Sequence, residues 1–409
     1  MIDSPYKHYQ LKNGIRLIYK RSLSNVGHIG FLIDAGSRDE KREEHGLAHF
    51  IEHSIFKGTK KRKSYQIINR LEDVGGELDA YTTKEETFIY GGFLINYFER
   101  ALELIQDIVF NSVFPEKEIE REKEVVIDEI NSYKDSPAEL IYDEFENILF
   151  KNHPLGRDIL GTVSSVKKLN VEKIKHFIER NYDTEKMVIS VIGNIDFEHV
   201  KFFVEKYFSD IKKTKAKKTE KKFKPNKQQT VEKNKNTHQA HCVIGNTAYS
   251  ALSENRVGLI LLNNIIGGPG MNSLLNMSLR EKYGFVYNVE SNYTFYKDTG
   301  IWNIYLGTDH ENLDKSLDLV SKILKQKQEK FISSSKLEKS KKQLLGQIAI
   351  ASENYSEYVF SMAKSTLLFN RISTIDEIAQ SINSITKESI LEISNEVFNN
   401  DDLSILIYK

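Results

Sequence analysis

The five residues His49-Phe50-Ile51-Glu52-His53 constrain the fold of this chain more than any other stretch. On an α-helix, imidazoles at positions i and i+4 and a carboxylate at i+3 share one face. Neutral imidazole nitrogens are good zinc donors, and two of them at this spacing can reach one tetrahedral ion. A carboxylate beside them can accept a proton from water that the metal has made more acidic. The pattern therefore predicts a helix carrying a zinc site. The alternative is an amphipathic helix with surface histidines.

A catalytic zinc usually has three protein ligands, and Glu129 is a candidate for the third. It lies in the charged run 122–130, which predicts a helix. Glu122 stands seven residues earlier, two turns back on almost the same face. Taken alone, a run rich in Glu and Lys is more typical of a solvated helix face than of a ligand site.

The segment 46–59 (GLAHFIEHSIFKGT), followed by Gly75-Gly76 and then by Glu122 and Glu129, resembles the pitrilysin/insulinase family of zinc peptidases. The order HxxEH, which inverts the more familiar HExxH, is a known signature of such enzymes. Within the family, the chain is similar to the short-subunit branch of mitochondrial processing peptidases and their bacterial relatives. The resemblance covers nearly the whole chain.

This resemblance implies a zinc metalloendopeptidase and assigns roles to the residues named above. His49, His53 and Glu129 are the implied zinc ligands, Glu52 the general base, and Glu122 a supporting carboxylate. Because the three ligands occur once in the chain, we expect one Zn²⁺ per chain.

Length and composition indicate an ordinary globular protein with at least two domains. The chain has 409 residues, of which 40% are hydrophobic and 28% charged, and its formal net charge is zero. Without a net charge, no global field attracts nucleic acid or membranes. A single cysteine, Cys242, forbids an internal disulfide and suits a reducing compartment, and we expect it to be a buried strand residue. Since no long apolar run occurs, the expected location is the cytoplasm.

The order strand, helix, two strands and further helices occurs in the first half of the chain and again in the second. We therefore predict an α+β fold of two tandem homologous domains, residues 1–211 and 237–409, each a β-sheet with packed helices, as in mitochondrial processing peptidase. No HxxEH occurs in the second domain, so only the first can hold zinc.

The segment between the two predicted domains, residues 212–236, is rich in lysine. Residues 212–235 contain eleven Lys and two Glu. Such a run could bind nucleic acid, but no Arg and only one aromatic residue, Phe223, accompany it for base recognition. We predict a solvated linker.

Residues 78–83 contain few large apolar side chains and predict an edge strand, followed by a second strand at 87–94. In the resembled family, the equivalent strand lies near the zinc and pairs with the substrate backbone, a mode that tolerates varied side chains. An ordinary edge strand without ligand is the alternative. Asp79 stands where relatives more often have Asn. The implied substrate-binding residues are Leu78, Asp79, Ala80, Tyr81 and Thr82.

The segment 267–287 resembles a family region that carries an Arg and a Tyr seven residues apart, here Arg280 and Tyr287. In the family this pair contacts substrate and helps to stabilise the tetrahedral intermediate. A guanidinium or phenol facing an oxyanion is suited to that role. Without the resemblance, both would be interpreted as residues at the edge of the core.

The implied function is cleavage of unfolded peptides or short polypeptides inside a chamber. The alternatives are a non-catalytic structural or assembly subunit of the same fold and a zinc hydrolase of another substrate. The expected partners are peptide substrates, with no nucleic acid and no membrane. We also expect a homodimer in which Arg280 and Tyr287 of one protomer serve the zinc site of the other. An inactive homologous subunit is a further possible partner.

Overall fold

The computed structural model describes residues 5–218, 223–224, 227–399 and 401–409. These residues form eleven β-strands and fourteen α-helices. The strands are β1 Tyr6–Gln10, β2 Arg16–Arg21, β3 Val26–Ile33, β4 Glu77–Thr82, β5 Thr87–Leu94, β6 Met187–Gly193, β7 Thr230–Lys233, β8 Ala240–Ala248, β9 Val286–Phe295, β10 Gly300–Thr308 and β11 Ser404–Tyr408. The helices are α1 Leu47–Ser54, α2 Ser64–Glu72, α3 Phe98–Phe110, α4 Glu116–Lys134, α5 Pro137–Leu149, α6 Val163–Val166, α7 Val171–Asn181, α8 Phe197–Phe208, α9 Arg256–Gly267, α10 Leu313–Glu329, α11 Ser334–Ala351, α12 Tyr355–Phe369, α13 Ile375–Asn383 and α14 Lys387–Val397. Across the described ranges, no helix combines the length and the apolar character that a membrane span needs.

The chain divides into two compact units, each built from three stretches of sequence. Unit 1 comprises residues 1–131, 157–220 and 351–374, and unit 2 comprises residues 132–156, 221–350 and 375–409. The stretch around α5, from the first half of the sequence, therefore belongs to unit 2. The stretch around α12, from the second half, belongs to unit 1. The predicted domains, residues 1–211 and 237–409, are contiguous in sequence, whereas the compact units are discontinuous.

Unit 1 contains a six-stranded mixed sheet in the order β1-β2-β6-β3-β5-β4. Helix α3 packs against β3 and β5 on one face, and α12 packs against β6 and β3. Alternate residues of β6 belong to two different apolar clusters. Ile189 and Val191 pack in one cluster, and Val188 and Ile192 pack in the other. A strand covered on both faces needs a continuous apolar sequence, and this explains the run MVISVIG.

Unit 2 contains a five-stranded sheet in the order β7-β11-β8-β10-β9. Its parallel pair, β7 with β11, corresponds to the parallel pair β2 with β6 of unit 1, and the remaining pairs of both sheets are antiparallel. Helix α5 packs against β8 and β11, while α9 packs against β9. The two units thus repeat one topology, and the predicted α+β fold of two related domains is confirmed.

The lysine-rich segment 212–236 is more structured than a solvated linker. Residues 230–233 form β7 and pair with β11, because the edge of the unit 2 sheet offers free backbone groups to any extended segment. Lys218 lies close to the carboxylates of Asp34 (3.8 Å) and Asp39 (3.0 Å). The rest of the segment falls partly outside the described residues. Cys242 is buried in β8, as predicted.

Two glycines give a matched test of this packing. A Cβ on Gly30, in β3, would lie 2.3 Å from the Phe88 ring and 2.7 Å from Ser190 Oγ, so Gly30→Ala should destabilise the protein by about 1–3 kcal/mol. Gly346 lies exposed inside α11, where an added Cβ meets nothing within 4 Å. Gly346→Ala should therefore stabilise by about 0.5–1 kcal/mol through helix propensity. Thermal unfolding, monitored by circular dichroism, measures the stability of both variants. Equal unfolding midpoints for the two variants would contradict the packing described.

Candidate metal centre

The helix α1 begins at a glycine that the backbone requires. Gly46 has φ +88°, a left-handed conformation, and a Cβ there would lie 2.7 Å from the carbonyl oxygen of Leu160. The buried carboxylate of Glu40 accepts hydrogen bonds from the N–H groups of Gly46 (3.0 Å) and Ala48 (2.8 Å). Free N–H groups at a helix start favour such an acceptor. Glu40 was missed at the sequence level, although an acidic residue shortly before a helix is a recognisable signal.

The rotation of α1 is set by its apolar face. Leu47, Phe50 and Ile51 are buried in the core of unit 1. With these positions inside, His49 and His53 lie one turn apart on another face, and their ring centroids are 4.5 Å apart. The pair predicted from i, i+4 spacing is therefore formed.

Glu129 of α4 faces both histidines. Its Oε1 lies 3.7 Å from His49 Nε2, and its Oε2 lies 3.5 Å from His53 Nε2. One nitrogen from each histidine and one oxygen of Glu129 all lie within 4.8 Å of one another. The side chain of Glu129 is 43% exposed, so an ion can reach the three donors from solvent. Two imidazole nitrogens and one carboxylate are a ligand set that zinc accepts, with a fourth position left open.

Glu122, two turns before Glu129, contacts His53 from the opposite edge of its ring. Its Oε1 lies 2.9 Å from His53 Nδ1, and its Oε2 lies 2.6 Å from Lys57 Nζ. Burial raises the pKa of Glu122, but the hydrogen bonds from His53 and Lys57 outweigh it, so the net shift is downward and the group stays ionised. A carboxylate at Nδ1 places the proton there and leaves the Nε2 lone pair free for a metal.

The charges around the two histidines also suit a divalent cation. Burial, with a further contribution from His53, lowers the pKa of His49 to about 3, so His49 is a neutral donor. For His53, burial is outweighed by the carboxylates of Glu122, Glu52 and Glu129, and its pKa is raised. A cation between these groups would offset the negative charge that gathers there. The residues present therefore fit zinc.

Glu52 is the buried carboxylate on the same turn of α1. Its Oε2 is enclosed and has no hydrogen-bond partner among the described residues. Burial raises the pKa of Glu52 to about 7, against the lowering effects of Thr82 and His53. A carboxyl group that both accepts and donates a proton near neutral pH is suited to general acid–base catalysis.

Strand β4 lies at the end of the unit 1 sheet, as predicted, and contacts α1. Thr83 N donates to Glu86 O in the hairpin that follows, and hydrogen-bonded pairs alternate along an antiparallel ladder. The backbone groups of Leu78, Ala80 and Thr82 consequently point away from β5.

The side chains of β4 differ in their contacts. The Asp79 carboxylate accepts a hydrogen bond from the N–H of Ala80 at 2.8 Å. The Tyr81 side chain lies on the face of β4 opposite Leu78 and Ala80, and packs against Phe88 and Phe360.

Arg280 and Tyr287 belong to unit 2, where both side chains are exposed. Arg280 lies in a π-helix, Asn276–Lys282, and Tyr287 lies at the start of β9. The Tyr287 hydroxyl lies 3.1 Å from both carboxylate oxygens of Asp309, and this hydrogen bond raises the pKa of the phenol. Asp309 was not predicted, because it is 22 residues away in sequence.

Known proteases resemble this chain over nearly its whole length. The chain is 33% identical over 405 residues to an uncharacterized zinc protease, YmxG, of Bacillus subtilis, and the match covers 98% of each protein. The chain belongs to the insulinase family of peptidases, M16. Residues 16–163 match the family described as insulinase (peptidase family M16), and residues 168–344 match the peptidase M16 inactive domain. The first match contains the three candidate zinc donors.

One further relative and two solved structures extend the comparison. The beta subunit of the mitochondrial-processing peptidase of Saccharomyces cerevisiae is 27% identical over 403 residues, covering 92% of this chain and 85% of that subunit. A protease from Helicobacter pylori has the same fold, with a TM-score of 0.90 at 21% identity over 99% of both chains. A peptidase M16 inactive domain from Pseudomonas fluorescens also has a TM-score of 0.90, at 19% identity, covering 98% of this chain and 97% of that one.

Zinc binding tests the proposed donor set directly. The purified protein should bind one zinc per chain, measured by elemental analysis after dialysis. Glu129→Gln should weaken binding by more than about 100-fold, beyond the loss typical of outer-shell changes, because an amide is a poorer ligand than a carboxylate.

The matched control is Glu124→Gln, an exposed change on the same helix, which should leave zinc affinity unchanged. Full zinc retention in Glu129→Gln would remove Glu129 from the ligand set.

Proposed function

We propose that this M16 protein is a zinc-dependent endopeptidase that cleaves unfolded peptides or short polypeptides. The observation that carries the proposal is the convergence of His49, His53 and Glu129 beside the buried carboxylate of Glu52, next to the edge strand β4. The zinc protease names of relatives that match nearly the whole chain support it.

In the mechanism, His49, His53 and Glu129 would hold the zinc. When bound, zinc would polarise the scissile carbonyl and make water more acidic. Glu52 accepts a proton from the attacking water as the water oxygen bonds to the carbonyl carbon. Glu52 then donates this proton to the amine nitrogen as the C–N bond breaks. The burial of Glu52 favours its neutral form between these two transfers.

The edge strand β4 would hold the substrate as an added strand. The outward backbone groups of Leu78, Ala80 and Thr82 can pair with an extended chain, whatever its side chains. Pairing at Ala80 requires the Asp79 carboxylate to release the Ala80 N–H, so Asp79 competes with substrate at this position. A folded protein cannot present such a strand without local unfolding, which restricts the substrates to flexible chains. The enclosing chamber implied by the family resemblance is part of this proposal.

A non-catalytic subunit of the same fold is the second candidate. The description "inactive domain" favours it, both for residues 168–344 and for the Pseudomonas structure. The zinc donors and Glu52, however, lie in residues 16–163 and are intact. A wild-type protein that binds zinc yet cleaves no member of a diverse peptide panel would support this second candidate.

Glu52→Gln separates binding from catalysis. Because glutamine has the same shape but cannot accept the proton, this variant should retain zinc and lose cleavage by about 10²–10⁴-fold. Hydrolysis of a quenched fluorescent peptide, together with zinc analysis, measures both properties. Glu124→Gln is again the control and should keep normal activity. Undiminished cleavage by Glu52→Gln would show that another group is the base.

We also propose a homodimer in which Arg280 and Tyr287 of one protomer serve the zinc site of its partner. The single O–H of Tyr287, which donates to Asp309, can donate to an oxyanion instead when Asp309 releases it. The alternative to a homodimer is an assembly with a different subunit, since the yeast relative is itself named a subunit beta.

Subunit exchange tests the homodimer. Mixing Glu52→Gln protein with Tyr287→Phe protein should create heterodimers with one intact and one doubly damaged site. Activity should then exceed that of either parent, as measured with the same peptide. A Glu52→Gln sample taken through the same exchange procedure is the control. Absence of recovery, despite proven exchange and impaired parents, would contradict sharing of the site between protomers.

A further inference from the structure

Lys57 follows α1 by three residues and contacts the carboxylate that supports the zinc site. Its Nζ lies 2.6 Å from Glu122 Oε2, while Glu122 Oε1 lies 2.9 Å from His53 Nδ1. The Glu122 side chain is only 6% exposed, and that of Lys57 is 26% exposed. The two oxygens of one buried carboxylate are therefore divided between a metal-site histidine and a lysine.

The segment that carries Lys57 is fixed to the body of unit 1. Lys57 N donates to Ser54 O at 3.1 Å, which joins the segment to the end of α1. Two residues farther on, Thr59 Oγ1 donates to Asp107 Oδ2 at 2.7 Å. Arg62 bonds the same Asp107 oxygen at 2.6 Å and binds both oxygens of Glu103 at 2.9 and 2.7 Å. With its backbone held at both ends, Lys57 loses less conformational entropy in reaching Glu122 than a lysine on a loose loop would.

We propose that Lys57 is a positioning residue of the zinc centre, acting through Glu122 to hold the His53 ring in its ligating orientation. The inference rests on the zinc site proposed above. Removing the ammonium leaves a buried carboxylate oxygen without its charged partner. An unpaired buried charge is strongly destabilising. The carboxyl group can then rotate away from His53. It then no longer holds the ring through Nδ1, and the Nε2 lone pair is no longer presented to the metal.

Charge repulsion alone would change the zinc affinity in the opposite direction, so a Lys57 variant can test the proposal. A lysine near a divalent site repels the ion, so its removal would tighten zinc binding if charge alone mattered. A positioning role predicts weaker binding instead. The zinc affinity of Lys57→Met therefore distinguishes the two effects.

The experiment measures zinc dissociation constants on full-length protein, by competition of metal-free protein with a chromophoric chelator. Lys57→Met should bind zinc about tenfold more weakly, at the lower end of the range for outer-shell changes. Lys57→Arg, which restores a charged donor, should recover most of this loss. In cobalt-loaded protein, the visible absorption bands should shift in Lys57→Met and return in Lys57→Arg. The control is Lys61→Met in the same segment, whose ammonium lies 3.8 Å from Glu103 and whose side chain is 61% exposed. It should leave both readouts unchanged.

A double-mutant cycle tests the route through Glu122. In a Glu122→Gln background, Lys57→Met should cause no further loss of zinc affinity, because the effect passes through that carboxylate. Circular dichroism checks folding, and Lys57→Gln, with a neutral donor, replaces Lys57→Met if the latter does not fold. Unchanged or tighter binding in the neutral variant, or an undiminished effect in the Glu122→Gln background, would overturn the proposal for Lys57 alone. A wild-type protein that binds no zinc would overturn this proposal and the proposed function together.

Discussion

The packing of α1 against the core of unit 1 is the constraint on which the rest of the site depends. Leu47, Phe50 and Ile51 are completely or almost completely buried, so the helix can neither rotate nor slide without exposing apolar surface. That fixed rotation brings the imidazoles of His49 and His53 to α4. It also keeps Glu52 buried, near Thr82 of β4. Glu40 and Gly46 secure the start of the helix, where a small displacement would move every donor.

Three glutamates near the two histidines suit different roles because their surroundings differ. Glu129 is substantially exposed and faces the Nε2 atoms, which suits a ligand at an open position. Glu122 is buried and fully occupied by His53 and Lys57, which suits a fixed support. Glu52 is buried with one oxygen unpartnered among the described residues, and its pKa is raised to about 7, which suits a proton carrier. Residue type alone does not separate these roles, whereas burial and hydrogen bonding do.

Much of the fold and of the site was predictable, for identifiable reasons. The i, i+4 spacing of His49 and His53 predicts a shared helix face, and the scarcity of large apolar side chains at 78–82 predicts an edge strand. Both are local properties of a regular element. Predictions were less successful where a segment takes its structure from a distant one. Thr230–Lys233 became a strand because β11 offers it a pairing edge, and Asp309 holds Tyr287 from 22 residues away.

The sequence by itself determined the elements, the repeat, the family and the candidate zinc donors, because these depend on short-range periodicity and on motif order. Only the tertiary structure decided that α5 and α12 cover the sheets of the units formed mainly by the opposite halves of the chain. It also decided that the oxygens of Glu122 are divided between His53 and Lys57. These features depend on which side chains meet across long sequence separations. That is settled by packing of the whole core and by the cost of leaving a buried charge unpaired, not by any local pattern.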